Sequence, residues 1–143
     1  MKKENKPKLW WRIRGLDQME LRFGKNKPIE RFIKKRLKSE KIVRVLELGF
    51  GEGKCLLDLR TIFPDKQVEL YGINLKKEGE MYGRNDFAKN ARKFKLPVPK
   101  PLLLPKPSFY DAGEGLHFKS NYFDIIISQI AIHYVANKSK LLE

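Results

Sequence analysis

Short apolar runs separated by polar and glycine-rich stretches make up most of this chain. Residues 41–48 form the clearest run, which is too short for a helix of its own and rich in strand formers. Residues 54–63 instead have apolar side chains at helical spacing, at Leu56, Leu57, Leu59 and Phe63. A helix is also predicted over residues 28–39, where a proline suits the first position, and another around 87–94.

Three further strands are predicted downstream. Residues 67–74 alternate for part of their length, and residues 122–128 are apolar on both faces, as in a central parallel strand. The proline-rich segment 97–107 allows at best a short edge strand at 102–104, because proline is barred from central strands. A polyproline ligand for a partner is the alternative interpretation of that segment. The order of strands and helices predicts an open α/β sheet.

Three alternating glycines, Gly49, Gly51 and Gly53, separate the first strand from its helix. Glycine allows a sharp turn at a strand end and leaves room for a ligand against the main chain. A turn between a parallel strand and a helix N-terminus is where open α/β sheets bind ligands. The sequence therefore predicts a ligand site at this corner.

The spacing of these glycines excludes two common ligand motifs. A dinucleotide-binding G-x-G-x-x-G would need glycine at position 54, which is Lys54. A phosphate-binding P-loop would need glycine at 48 and a hydroxyl at 55, where the chain has Leu48 and Cys55.

The spacing that remains, E-x-G-x-G-x-G over residues 47–53, resembles motif I of the class I S-adenosylmethionine-dependent methyltransferases. Later segments follow in the order of that family. The resemblance implies an α/β, Rossmann-like fold with an open, mainly parallel sheet and helices on both faces. About four of the family's seven strands are found, which implies an incomplete domain. Residues 1–40 would be a basic tail with cap helices, and residues 41–143 a C-terminally truncated cofactor-binding domain.

The resemblance also assigns roles to particular residues. Glu47 would hold the amino end of S-adenosylmethionine, and the three glycines would admit its carboxylate and ribose side. Asn74 stands where the family carries an acidic residue that grips the ribose, and Leu75 would flank the adenine. Asp111 and Ala112 resemble the family's adenine-contacting pair.

Two more candidates belong to the end of the fourth strand. Ser128 lies at its carboxyl end, at the level where ligands bind in such sheets. His133 is the candidate general base, although a single histidine after an apolar strand is more often a packed and hydrogen-bonded one. Family members that act on small molecules have a similar I-S-x-x-x-x-H pattern. No metal site is predicted.

The charge of the chain is strongly positive and unevenly distributed. Its 143 residues carry a formal net charge of +14, and the surplus is confined to residues 1–41 and 84–106. Such patches either contact phosphates, as in RNA, or are solvated helix faces. A single cysteine, Cys55, and the lack of a signal peptide or an apolar run of about 18 residues predict a cytoplasmic protein without a membrane span.

Three functions remain open from the sequence. A methyltransferase with a small-molecule acceptor is favoured by the serine and histidine after the fourth strand. An RNA methyltransferase is favoured by the two basic patches. An inactive module that binds nucleic acid or a partner is favoured by Asn74 and by the missing strands. Either the chain is truncated, or a partner or second copy covers the edge of the fourth strand.

Overall fold

The computed structural model describes residues 15–75 and 81–128. Within them, two initial helices are followed by alternating strands and helices, and the last two strands have no α-helix between them. In chain order the elements are α1 (Leu16–Phe23), α2 (Pro28–Leu37), β1 (Val43–Leu48), α3 (Lys54–Ile62), β2 (Val68–Asn74), α4 (Asp86–Lys93), β3 (Lys106–Phe109) and β4 (Ile125–Ser128).

The four strands form one parallel sheet in the order β3-β2-β1-β4. Val43 pairs with Val68 at the start of β1 and β2, and Leu48 pairs with Ser128 at the ends of β1 and β4. The order confirms the predicted open α/β, Rossmann-like sheet. It also makes β1 a central strand, so the glycine loop leaves from the middle of the sheet.

The predicted position of the third strand was wrong by a few residues. Residues 102–104 overlap a 3-10 turn at Pro101–Leu103, and Leu102 is 87% exposed. The strand is β3, which begins at Lys106 and contains Pro107. It lies at the edge of the sheet as predicted, and an edge strand tolerates proline because its outer side needs no N–H donor.

Alternation along the strands separates two apolar layers. Val43 and Val45 of β1 face the layer to which α1, α2, α3 and α4 all contribute buried side chains. Leu46 and Leu48 face the other layer, which Tyr71 shares with several further aromatic residues. In the described part of the chain that second layer consists of strand, 3-10 turn and loop residues, so α-helices cover one face and an aromatic cluster the other.

A carboxylate from another helix caps the N-terminus of each of the first two helices. The Glu20 carboxylate accepts hydrogen bonds from the backbone N–H groups of Ile29 (2.6 Å) and Glu30 (3.0 Å) at the start of α2. The Asp58 carboxylate does the same for Leu16 at the start of α1, at 3.0 Å. Both place negative charge at a helix N-terminus, where unpaired N–H groups and the helix dipole favour it.

Among residues 15–75 and 81–128, no helix combines the length and the apolar character that a membrane crossing requires.

Candidate functional site

The glycine loop has the conformation that only glycine adopts readily. Gly49, Gly51 and Gly53 have φ angles of +71°, +61° and +86°. Phe50, between the first two, turns inward and is 4% exposed, with its ring centroid 5.4 Å from that of Phe87. The loop is therefore anchored to the core through its aromatic residue, while its glycine backbone turns at the end of β1.

Gly51 and Gly53 face different surroundings. A Cβ placed on Gly53 would lie 2.2 Å from Phe87 Cε1, so this glycine is required by packing. A Cβ placed on Gly51 would have no described atom within 4 Å. Gly51 is therefore the position where a ligand can approach the main chain.

The Asn74 side chain, at the end of β2, makes two hydrogen bonds to the glycine loop. Its side chain is 3% exposed, its Oδ1 accepts from the Gly51 N–H at 3.0 Å, and its Nδ2 donates to the Gly51 carbonyl at 3.1 Å. An amide can make both bonds, whereas an ionised carboxylate has no donor. The structure gives a physical reason for asparagine at this position. The predicted ribose contact stays a prediction, and it would compete with this pairing.

Replacing Asn74 with Asp should destabilise the chain. The substitution keeps the acceptor for the Gly51 N–H but sets a buried carboxylate oxygen against the Gly51 carbonyl, at a cost of about 2 kcal/mol. Urea denaturation measures this directly, with the exposed Asn121→Asp as the control for the same chemical change. Unchanged stability together with tighter binding of S-adenosylmethionine would instead support the ribose contact.

Glu47 is a buried carboxylate beside the loop. Its side chain is 5% exposed, and Oε1 has no hydrogen-bond partner in the described part of the chain. Burial raises the pKa of the Glu47 carboxyl from 4.5 to about 8, and the neighbouring Asp58 carboxylate adds to the increase. Burial also raises the pKa of the Cys55 thiol, with Glu47 as the next cause. A carboxyl in this state can accept a hydrogen bond from a cationic or neutral donor.

Ser128 lies at the carboxyl end of β4, next to the end of β1. Its Oγ is buried and has no hydrogen-bond partner among the described residues. Because Ser128 pairs with Leu48 and Ile127 with Glu47, the side chains of Ser128 and Glu47 point to opposite faces of the sheet. The chain runs from β1 outward to β2 and β3 and then returns to β4 on the other side, so these residues flank the switch point of the sheet, where such folds bind ligands.

Asp111 and Ala112 lie at the same edge, beyond the end of β3. The Tyr110 N–H donates to the Asn74 carbonyl at 3.0 Å, which places the start of this segment beside the end of β2. The Asp111 side chain accepts from the Gly113 N–H at 2.8 Å and so caps a 3-10 turn, while Ala112 is buried. Leu75 is 47% exposed immediately after β2. The structure thus brings the predicted adenine and ribose residues to one sheet edge.

An aromatic pair at this edge was not found from the sequence. The Tyr110 and His117 rings are stacked, with centroids 3.8 Å apart and planes 9° from parallel. The Tyr110 hydroxyl also accepts a hydrogen bond from the backbone N–H of His117. Burial raises the pKa of Tyr110. The two residues lie in a loop without periodicity, so no sequence pattern indicated their contact.

Some predicted features lie outside the described residues. These are His133 and the part of the basic tail before Gly15. In residues 15–75 and 81–128, no group of three or more His, Cys, Asp or Glu side chains is arranged to hold a metal ion.

Comparison with protein-family models, with curated proteins and with solved structures gave no match to this chain.

Proposed function

We propose that this chain binds S-adenosylmethionine at the carboxyl edge of its sheet and transfers the methyl group to a small-molecule acceptor, leaving S-adenosylhomocysteine. The observation that carries the proposal is the Glu47 carboxyl, which is buried and lacks a partner for Oε1 at the end of the central strand. Such a group costs stability unless a ligand pairs with it, and an ammonium group is its best partner.

The residues at this edge fit the parts of the cofactor. Glu47 would accept hydrogen bonds from the ammonium group, and the open side of Gly51 would admit the chain of the molecule. The first turn of α3 contains no acidic residue, so its N–H groups can face the cofactor carboxylate. Leu75, Asp111 and Ala112 would lie against the adenine.

The cofactor, when bound, supplies a methyl group already activated by a positive sulfur. The chain would then contribute orientation and the exclusion of water. A base is needed only where the acceptor must lose a proton, and His133 is the candidate for that role. With its one cysteine buried and unpaired, the chain suits a reducing compartment, and we place it in the cytoplasm.

The second basic patch gives less support to an RNA acceptor. Arg84 uses its guanidinium to bind the carbonyls of Leu102 and Leu104, and Lys93 pairs with Glu52 at 2.7 Å. Both side chains thus use some of their donors within the chain, which leaves fewer of them for the many phosphates of an RNA backbone. A small-molecule acceptor is therefore the preferred proposal.

Calorimetric titration with S-adenosylmethionine and with S-adenosylhomocysteine tests the cofactor site. We expect micromolar binding, about −8 kcal/mol, to the full chain. Because the ammonium group favours ionised Glu47, binding at pH 7 should release close to one proton per site, measured by repeating the titration in buffers of different ionisation enthalpy. Glu47→Gln should remove the proton release. Binding without any proton release would place the ammonium group elsewhere, and no binding by a folded chain would overturn the proposal.

A further inference from the structure

A polar cavity lies away from the carboxyl ends of the strands. It has a volume of about 90 Å³, is partly open to solvent, and lies where α3, the start of β2 and the segment 102–106 meet. The pairing of β2 with β3 begins only at Tyr71. On the side away from β1, residues 68–70 of β2 therefore have no strand partner in the described part of the chain, and this side faces the cavity. Asn74 is at the other end of the same strand, so the cavity is distinct from the proposed cofactor site.

Positive charge dominates the lining. Arg60, Lys66, Arg84 and Lys106 contribute four cations, against a single acid, Glu69. That acid already has partners, because its Oε1 accepts from Arg44 Nε at 2.9 Å and from the Tyr71 hydroxyl at 2.8 Å. Asp65 and Glu69 offset part of the positive charge at Arg60, and Glu69 part of it at Lys106, so the four cations of the cavity outnumber the acids near them.

The two arginines are held in place by backbone carbonyls. Arg60 donates from Nε to Leu103 and from Nη1 to Phe63 and Asp65, at 2.8 to 3.0 Å. Arg84 donates from Nε to Leu104 and from Nη2 to Leu102 and Leu104. One terminal nitrogen of each guanidinium, Nη2 of Arg60 and Nη1 of Arg84, has no acceptor among the described residues. Burial, followed by the charge of Arg84, lowers the pKa of Arg60 to about 10.

We propose that this cavity binds a single phosphate group, either inorganic phosphate or the phosphomonoester of a small molecule. Two rigidly held guanidinium groups with free N–H donors match the oxygens of a phosphate, and two flexible lysines add charge. A cavity of this size is far below the roughly 300–1,000 Å³ of sites that enclose a whole drug-sized ligand. It can therefore hold one such group, with any remainder of the ligand outside.

Titration of the full chain with inorganic phosphate, followed by ³¹P NMR at constant ionic strength, tests this proposal. We expect saturable binding and a matching rise in thermal stability. Lys66→Ala with Lys106→Ala should weaken binding at least about tenfold, since each removes a charge-assisted hydrogen bond. Both side chains are exposed, so the double variant should fold. The matched control, Lys41→Ala with Lys119→Ala, removes the same charge from exposed positions outside the cavity and should bind as the unmodified chain does.

A second arm distinguishes the sources of the phosphate. Glycerol 3-phosphate in place of inorganic phosphate should bind more tightly if the natural ligand is an ester, and less tightly if it is the free ion. Absence of saturable binding by both compounds would overturn the proposal. Equal weakening by the two double variants would also overturn it, because that result would indicate a non-specific response to net charge.

Discussion

Replacing Glu47 with Gln should stabilise the folded chain by about 4 kcal/mol at pH 8 and by only about 1 kcal/mol at pH 5. The carboxyl has a pKa of about 8 in the folded chain against an ordinary value of 4.5. A raised pKa means that the folded state holds its proton more tightly than the unfolded state. The resulting stability is fully present below pH 4.5 and is lost as the pH rises toward 8. At about 1.36 kcal/mol for each pH unit, the total loss approaches about 5 kcal/mol.

The chemical reason for this loss is the surroundings of the carboxylate. Burial is the largest cause of the shift, and the charge of Asp58 is the second. Glutamine has the shape of the protonated acid but cannot ionise, so the variant avoids the cost of a buried negative charge at high pH. For a domain of this length, the difference at pH 8 corresponds to a rise in melting temperature of roughly 12 °C.

Urea denaturation of both proteins at pH 5 and pH 8 gives the four free energies of unfolding that this prediction needs. The exposed Glu40→Gln is the matched control and should show no comparable dependence on pH. A Glu47→Gln variant whose stability differs from the unmodified chain equally at both pH values would contradict a raised pKa. Under the proposed function, the same variant replaces the carboxylate that would pair with the ammonium group of S-adenosylmethionine, so binding should weaken. Gained stability with weakened binding is the pattern expected of a residue whose role is ligand binding.

The part of the fold that the sequence predicted best is the part that local pattern determines. Three adjacent sequence patterns predicted β1, the glycine loop and α3: a run of strand formers, alternating glycines and apolar residues at helical spacing. The position of β3 could not be predicted in the same way. Its segment contains an apolar triplet at Leu102–Leu104, yet the strand forms at Lys106–Phe109, because the pairing with the end of β2 decides it.

The state of the site residues depends on contacts between distant parts of the sequence. The Asn74 amide pairs with Gly51, which is 23 positions away in the sequence, and no local sequence motif indicates that contact. Similarly, α2 starts after Lys27, which makes no capping bond, and Glu20 of the preceding helix takes that role. The sequence predicted Glu47 as a site residue, but its raised pKa follows from the helices and strands that bury it.

Two alanine substitutions in the glycine loop should separate packing from ligand binding. Gly53→Ala should destabilise the chain by about 3 kcal/mol, because Ala is strained at a φ of +86° and its Cβ would overlap Phe87. Gly51→Ala shares only the first of these costs, at a φ of +61°, and should lose about 1 kcal/mol. Thermal and urea denaturation of the two variants provides the comparison.

Binding should rank the variants in a different order. Gly51→Ala should remain folded but bind S-adenosylhomocysteine at least about tenfold more weakly, because the new methyl group would occupy the space where the ligand meets the backbone. Gly53→Ala, measured at a temperature where it is folded, should retain more of its affinity, since its methyl group points toward Phe87 and the core. Full affinity in Gly51→Ala would move the ligand away from this loop, whereas a larger loss of stability in Gly51→Ala than in Gly53→Ala would contradict the open space at Gly51.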